Sequence, residues 1–180
     1  MPSHPENTID LKFILLFIPA AYVSYLFHEF GHWIVGELLG NDMAYSLNYV
    51  WPKGGQYVDA SHNLYVSIGG PAFSILQSLL GFLIIEKYKS LYLYPFVFFP
   101  MFSRLFSLVF GGFAKQDEAR ISALLGVGTF TIAAIVLLIL VLIVIRSSLI
   151  LKLDLKNIGY IFTISTFCQL LVIGTYEVFS

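Results

Sequence analysis

From Ile121 to Ile145 the chain runs for 25 residues without an Asp, Glu, Lys or Arg. About 20 apolar residues in a helix cross a bilayer core about 30 Å thick, so a run of this length reads first as a membrane span. It is not alone. Leu11–Leu39 carries only Lys12, Glu29 and Glu37 as charged residues, Ala60–Ile85 and Asn157–Tyr176 carry none, and Leu91–Phe113 carries only Arg104. Spans are expected at about 11–39, 64–85, 91–113, 117–146 and 157–178. The expected fold is a single membrane-embedded domain: an α-helical polytopic membrane protein of about five transmembrane helices.

Composition excludes the main alternatives. Only 12% of residues are charged and 58% are hydrophobic, whereas a soluble domain is closer to a quarter charged. A formal net charge of −1 argues against a nucleic-acid partner, which calls for a basic surface. The 2 Trp, 11 Tyr and 17 Phe residues are too many for a disordered chain. Cys168 is the sole cysteine and there are four histidines, which excludes a disulfide framework and a histidine-rich di-metal site. Residues 1–10 read as a short polar tail. The first apolar run reads as a span and not a cleaved leader, because no small-x-small site follows it.

Residues 43–60 differ in kind. They are rich in Tyr and Val around Pro52-Lys53-Gly54-Gly55, which predicts a short β-hairpin after the first helix, with that tetrapeptide as the turn between two extended runs. Tyr45, Tyr49, Trp51, Tyr57 and Tyr65 suit a membrane–water interface.

The chemistry lies in His28-Glu29-Phe30-Gly31-His32, an HExxH motif inside the first apolar run. Residues four apart share a helix face. Two imidazoles at that spacing can bind one Zn2+, and the intervening Glu29 can act as base on a water at the metal. A carboxylate in mid-membrane costs about 2.5–3.5 kcal/mol by insertion scales, so such groups are found there when they are used. Zinc needs a third protein ligand, and Asp117, Glu118, His62, Asp42, Asp59 and Glu37 are candidates. At about 1.5 Å per residue, His28 lies about 24 Å beyond Lys12, near the far edge of the first span. Asp117 and Glu118 open the fourth span on that same side, and Gly69-Gly70-Pro71 opens the second there. Asp117 and Glu118 project about 100° apart on a helix, so at most one faces the metal. Asp117 also suits a plain helix-start role. Gly69-Gly70-Pro71 reads either as a small-residue helix contact or as an opened helix start that admits a substrate backbone. Arg104 is expected to snorkel or to pair with an acid near the site.

Taken together, HExxH in a first core helix, a strand-rich segment, GGP at the start of the next span and an Asp at the start of a later one resemble the site-2 protease family of zinc intramembrane metalloproteases. The resemblance covers about residues 13–145 and implies a minimal core with no soluble domain. It implies His28, His32 and Asp117 as ligands of one Zn2+ and Glu29 as catalytic base. It also implies a hairpin that guides substrate, with Gly69, Gly70, Pro71, Tyr57 and Val58 as substrate-binding positions, the last two by strand addition. Three features differ from the family pattern, one of them the absence of the Asn-and-Pro pattern that precedes the family Asp. Lys115-Gln116-Asp117-Glu118 stands in place of Leu-Asp-Gly, and Ser74 follows the GGP proline where Asn is usual.

The expected function is zinc-dependent hydrolysis of a peptide bond in or near a transmembrane segment of a membrane protein or peptide substrate. The alternatives are a non-catalytic membrane scaffold that binds partner proteins and a zinc hydrolase of a non-peptide membrane substrate. Five spans put the termini on opposite faces of what is expected to be a cell membrane. The face of the N-terminus holds Lys12, Lys87, Lys89, Arg146, Lys152 and Lys156; the other holds Lys53, Lys115 and Arg120. Cytoplasmic loops are enriched in Lys and Arg, so the count puts the N-terminus in the cytoplasm and the motif near the outer face. The resemblance implies the opposite orientation.

Overall fold

A computed structural model describes residues 9–179; the expected tail lies, for residues 1–8, outside the described residues. The chain folds as helix α1 (Leu11–Leu38), strands β1 (Met43–Tyr45) and β2 (Val50–Pro52), then α2 (His62–Tyr88), α3 (Tyr94–Phe110), α4 (Asp117–Leu125), α5 (Thr131–Leu151) and α6 (Leu155–Phe179). Single 3-10 turns at Leu91–Leu93 and Phe113–Lys115 precede α3 and α4. Five of the helices, all but α4, are long and apolar enough to cross a membrane. The protein is thus a multi-pass, α-helical membrane protein with a small antiparallel hairpin after its first helix.

The distribution of side chains follows from a lipid solvent. Leu80, Leu83, Leu138, Leu149 and Phe167 are exposed, while Ser24, Gln77, Ser78, Ser147, Ser165 and Gln169 are buried. Lipid tails are as apolar as Leu, so apolar side chains gain nothing by leaving them. Small and polar side chains gather where helices meet, away from the lipid tails. Gln77 donates to Ser24 Oγ at 2.8 Å and to the Phe96 carbonyl at 2.9 Å, tying α2 to α1 and α3. Large aromatics fill the remaining centre: Phe98 meets Phe162 edge-on at 5.2 Å, and Phe13 meets Phe17 likewise at 5.3 Å.

Helix ends are set by local chemistry. The Asp10 carboxylate accepts from Phe13 N–H at 2.7 Å and caps α1, satisfying an N–H that has no partner within the helix. Gly40, at φ +81°, ends α1, and Asn41 N–H returns to the Gly36 carbonyl at 3.1 Å, a glycine-type C-cap.

Two expected boundaries are corrected. The fourth span does not run unbroken over 117–146. Gly126 takes φ +66°, Val127 N–H closes on the Ser122 carbonyl at 3.1 Å, and α4 stops at Leu125 as a separate nine-residue helix. The spanning helix starts afresh at Thr131 and carries Arg146, exposed, within it. The connection to α6 is correspondingly short, turning at Lys152 with φ +54°. The hairpin is also shorter than 43–60. Met43 pairs with Pro52, Ala44 with Trp51 and Tyr45 with Val50. Its turn is at 46–49, where Ser46 N–H reaches the Tyr49 carbonyl at 2.9 Å, and Pro52-Lys53-Gly54-Gly55 is a second turn that leaves β2. Tyr57 and Val58 lie in neither strand, so neither offers a ladder edge for strand addition.

Candidate metal centre

The last third of α1 carries His28, Glu29 and His32, all less than 10% exposed. What lets imidazoles fit between α1 and α2 is glycine. A Cβ on Gly31 would strike the Gly69 carbonyl oxygen, and one on Gly69 would strike Gly31, so the two backbones touch at that level. A Cβ on Gly70 would collide with His32 Nε2 and stand 2.6 Å from His28 Nε2. Gly69-Gly70-Pro71 is therefore the floor beneath the rings. The helix is continuous through it, with Pro71 inside. An opened helix start is not formed, and none of the three residues lines the adjoining cavity.

Each imidazole is held from behind. His28 Nδ1 lies 2.9 Å from Ser74 Oγ, one turn beyond Gly70. His32 Nδ1 lies 2.6 Å from the Val66 carbonyl oxygen. A carbonyl only accepts, so His32 carries its proton on Nδ1 and presents a lone pair at Nε2. Gly70 N lies 3.3 Å from the same Nδ1, but the shorter contact to a pure acceptor fixes the proton. A backbone or side-chain group behind the ring is what orients a metal-binding histidine.

In front of the rings, α4 delivers Asp117. Its Oδ2 lies 3.0 Å from His28 Nε2 and 3.2 Å from His32 Nε2, and the two Nε2 atoms are 3.2 Å apart. An anionic oxygen, a lone pair of His32 and His28 Nε2 thus converge in a near-equilateral triangle. Ligands of a tetrahedral zinc bound at about 2.0–2.1 Å stand about 3.3 Å apart. The donor set and its spacing fit such an ion.

The other third-ligand candidates are engaged elsewhere. Glu37 accepts from Met43 N–H at 2.9 Å. Asp42 pairs with Lys53 at 2.6 Å. Asp59 accepts from Ser61 N–H at 2.7 Å, and His62 Nδ1 lies 3.2 Å from Asn41. Glu118 points away from the triangle towards Arg104, 3.7 Å from its Nη1, and Arg104 Nη1 is also 3.9 Å from Asp117 Oδ2. Of the two outcomes expected for Arg104, pairing with an acid is the one observed.

The triangle opens onto a cavity of about 300 Å³, at the small end of the range for ligand sites. Glu29 faces it. Its carboxylate has an oxygen within 4.8 Å of a nitrogen of each histidine and makes no hydrogen bond or ion pair among the described residues. Asn48, Tyr49 and Val50 bring the hairpin to one wall, and Tyr57 joins them; Val58 is 76% exposed and outside. Tyr25 and Tyr176 line another wall, and Gln169 reaches the Tyr25 hydroxyl at 2.5 Å. Tyr25 precedes the motif by one turn, so helical spacing alone places it on the motif's face. Ser74, Val66 and Gln169 carry no such signal, because their partners are distant in sequence. No family model, curated protein or solved structure matches the chain, so the case for a function rests on this geometry.

Proposed function

We propose that the protein is a zinc-dependent intramembrane endopeptidase that hydrolyses a peptide bond in or next to a transmembrane segment of a membrane protein. The observation that carries this reading is the triangle of His28 Nε2, His32 Nε2 and Asp117 Oδ2 with an unpaired Glu29 carboxylate beside it. His28, His32 and Asp117 would hold the ion. A bound zinc supplies Lewis acidity, polarising a carbonyl and making water a stronger nucleophile near neutral pH. Glu29 takes the proton of the attacking water and returns it to the leaving amine, which is why it must be near the ligands without serving as one. Ser74 and the Val66 carbonyl keep the rings oriented. A substrate helix hides its carbonyls in its own hydrogen bonds, so it must unwind to present one. A scaffold that only binds partners has no use for a buried carboxylate left without a partner.

Wild type, Glu29→Gln and His28→Ala are purified in detergent, their zinc is counted by elemental analysis, and each is incubated with tagged single-span membrane proteins. The expected result is one zinc and cleavage for wild type, one zinc and no cleavage for Glu29→Gln, and neither for His28→Ala. Cleavage by Glu29→Gln at the wild-type rate removes Glu29 from the mechanism; a wild type that binds no zinc overturns the reading.

A further inference from the structure

Three cations face the cavity and none is used by the chemistry above: Arg104 on α3, Lys115 in the turn before α4, and Arg120 on α4. Their common feature is unspent hydrogen-bonding capacity. Arg104 offers five N–H donors from a side chain only 15% exposed. Its nearest carboxylate oxygens are at 3.7 and 3.9 Å, beyond hydrogen-bond reach, and its Nε has no partner. Arg120 has one long contact, 3.5 Å to Ser67 Oγ, and stands 4.0 Å from Asp117 Oδ1. Lys115 makes no ion pair among the described residues. The carboxylates of Glu29, Asp117 and Glu118 balance these three charges. A divalent ion in the triangle would leave the site with a net charge of two, which an incoming anion would offset, most strongly at buried Arg104.

We propose that this cluster is a carboxylate-binding subsite, and that the protein selects substrates bearing acidic residues beside the bond it cuts, on the extramembrane side. The inference rests on the proposed peptidase reading. Arg104 sits at the base of the cavity next to Asp117, and Lys115 and Arg120 stand nearer its mouth. A short extended segment entering past Tyr49 and Tyr57 passes the two outer cations before it reaches the ligands. The arginine forks match a planar carboxylate in two parallel hydrogen bonds. A peptide carboxylate fits this position better than a lipid headgroup, because the cations share one cavity that runs from exposed Lys115 and half-exposed Arg120 down to buried Arg104 beside the ligands.

The test uses binding, which does not need turnover. Zinc-loaded Glu29→Gln protein in nanodiscs of zwitterionic lipid is titrated with two fluorescent peptides, a 20-residue apolar segment followed by three Glu and its twin followed by three Gln, read by anisotropy. The Glu peptide is expected to bind at least about tenfold tighter, with the advantage shrinking as salt screens it. Adding Lys115→Gln and Arg120→Gln is expected to cut the preference to under about threefold while zinc content stays at one, which excludes simple misfolding. Equal binding of the two peptides, or a preference that survives the double substitution, overturns the proposal. So does a preference that vanishes when a third of the lipid is phosphatidylglycerol, since the anion held would then be a headgroup. If the preference holds but wild type cuts neither the Glu peptide nor any tagged substrate, the subsite stands and the peptidase reading alone fails.

Discussion

At the residue scale, Asp117 and Glu118 are adjacent carboxylates with different work. Asp117 Oδ2 is shared between two imidazole nitrogens, whereas Glu118 is 1% exposed and faces Arg104, with neither carboxylate oxygen hydrogen-bonded. Asp117→Ala is expected to weaken zinc binding well beyond the roughly 10–100-fold that loss of an outer partner costs, with little effect on the helical fold. Glu118→Ala is expected to do the reverse. It keeps zinc but leaves a buried guanidinium without its nearest counter-ion, at a cost of about 3 kcal/mol, visible as a lower thermal midpoint in detergent. Elemental analysis beside thermal unfolding separates the two, and equal zinc loss in both variants would place Glu118 among the ligands. Gly70→Ala completes the set: its methyl group would occupy the space of both imidazole nitrogens, so zinc is expected to be lost although no ligand has been changed.

At the scale of elements, two glycines predict opposite outcomes for the same substitution. Gly126 ends α4 at φ +66°, where a Cβ costs about 1–2 kcal/mol. Gly159 lies inside α6 at an ordinary helical dihedral, with no atom within 4 Å of where a methyl group would stand, and Ala there gains up to about 1 kcal/mol. Gly126→Ala is expected to lower the thermal midpoint and Gly159→Ala to raise it; a rise in both would mean that α4 and α5 tolerate joining into one helix, and a fall in both that α6 needs its glycine. This contrast also marks what could be read from the sequence. The lengths of the apolar runs gave the five long helices, because a bilayer fixes how much apolar chain is needed. Hydropathy reports composition and not dihedral angle, so the charge-free run after Ile121 concealed the break at Gly126. In the hairpin, Pro52-Lys53-Gly54-Gly55 is the stronger turn signal, yet the strands reverse earlier, at 46–49, because β2 pairs back immediately onto β1 under the end of α1. The HExxH spacing brought His28, Glu29 and His32 together on one face, and depth along the spans brought Asp117 near them. The contacts of Ser74, Val66 and Arg104 depend on how α2 and α3 pack, which no local spacing encodes.

For the whole molecule the open question is which face of the membrane the site adjoins. His28, His32, Asp117 and the hairpin converge at one end of the bundle, opposite the α2–α3 turn and the α5–α6 turn. Of the cations at the site's end, Lys115 and Arg120 line the cavity and Lys53 is paired with Asp42, and they are the fewer. Lys87, Lys89, Lys152 and Lys156 at the other end are exposed and make no ion pair among the described residues. Loop cations of that kind set orientation, which favours a cytoplasmic N-terminus and a site towards the outer face. In a Cys168→Ser background, single cysteines are placed at Gly54, beside the site, and at Glu86, near the end of α2, so that no Lys or Arg is lost. An impermeant thiol reagent applied to intact cells is expected to label Gly54→Cys and spare Glu86→Cys. The reverse pattern would put the site on the cytoplasmic face, as the family resemblance implies. Labelling of both would place the two ends of α2 on one side and overturn the five-span topology. With Gly54→Cys labelled from outside, an impermeant chelator added to the same cells is expected to strip the proposed zinc without lysis, since the cavity opens at that end of the bundle.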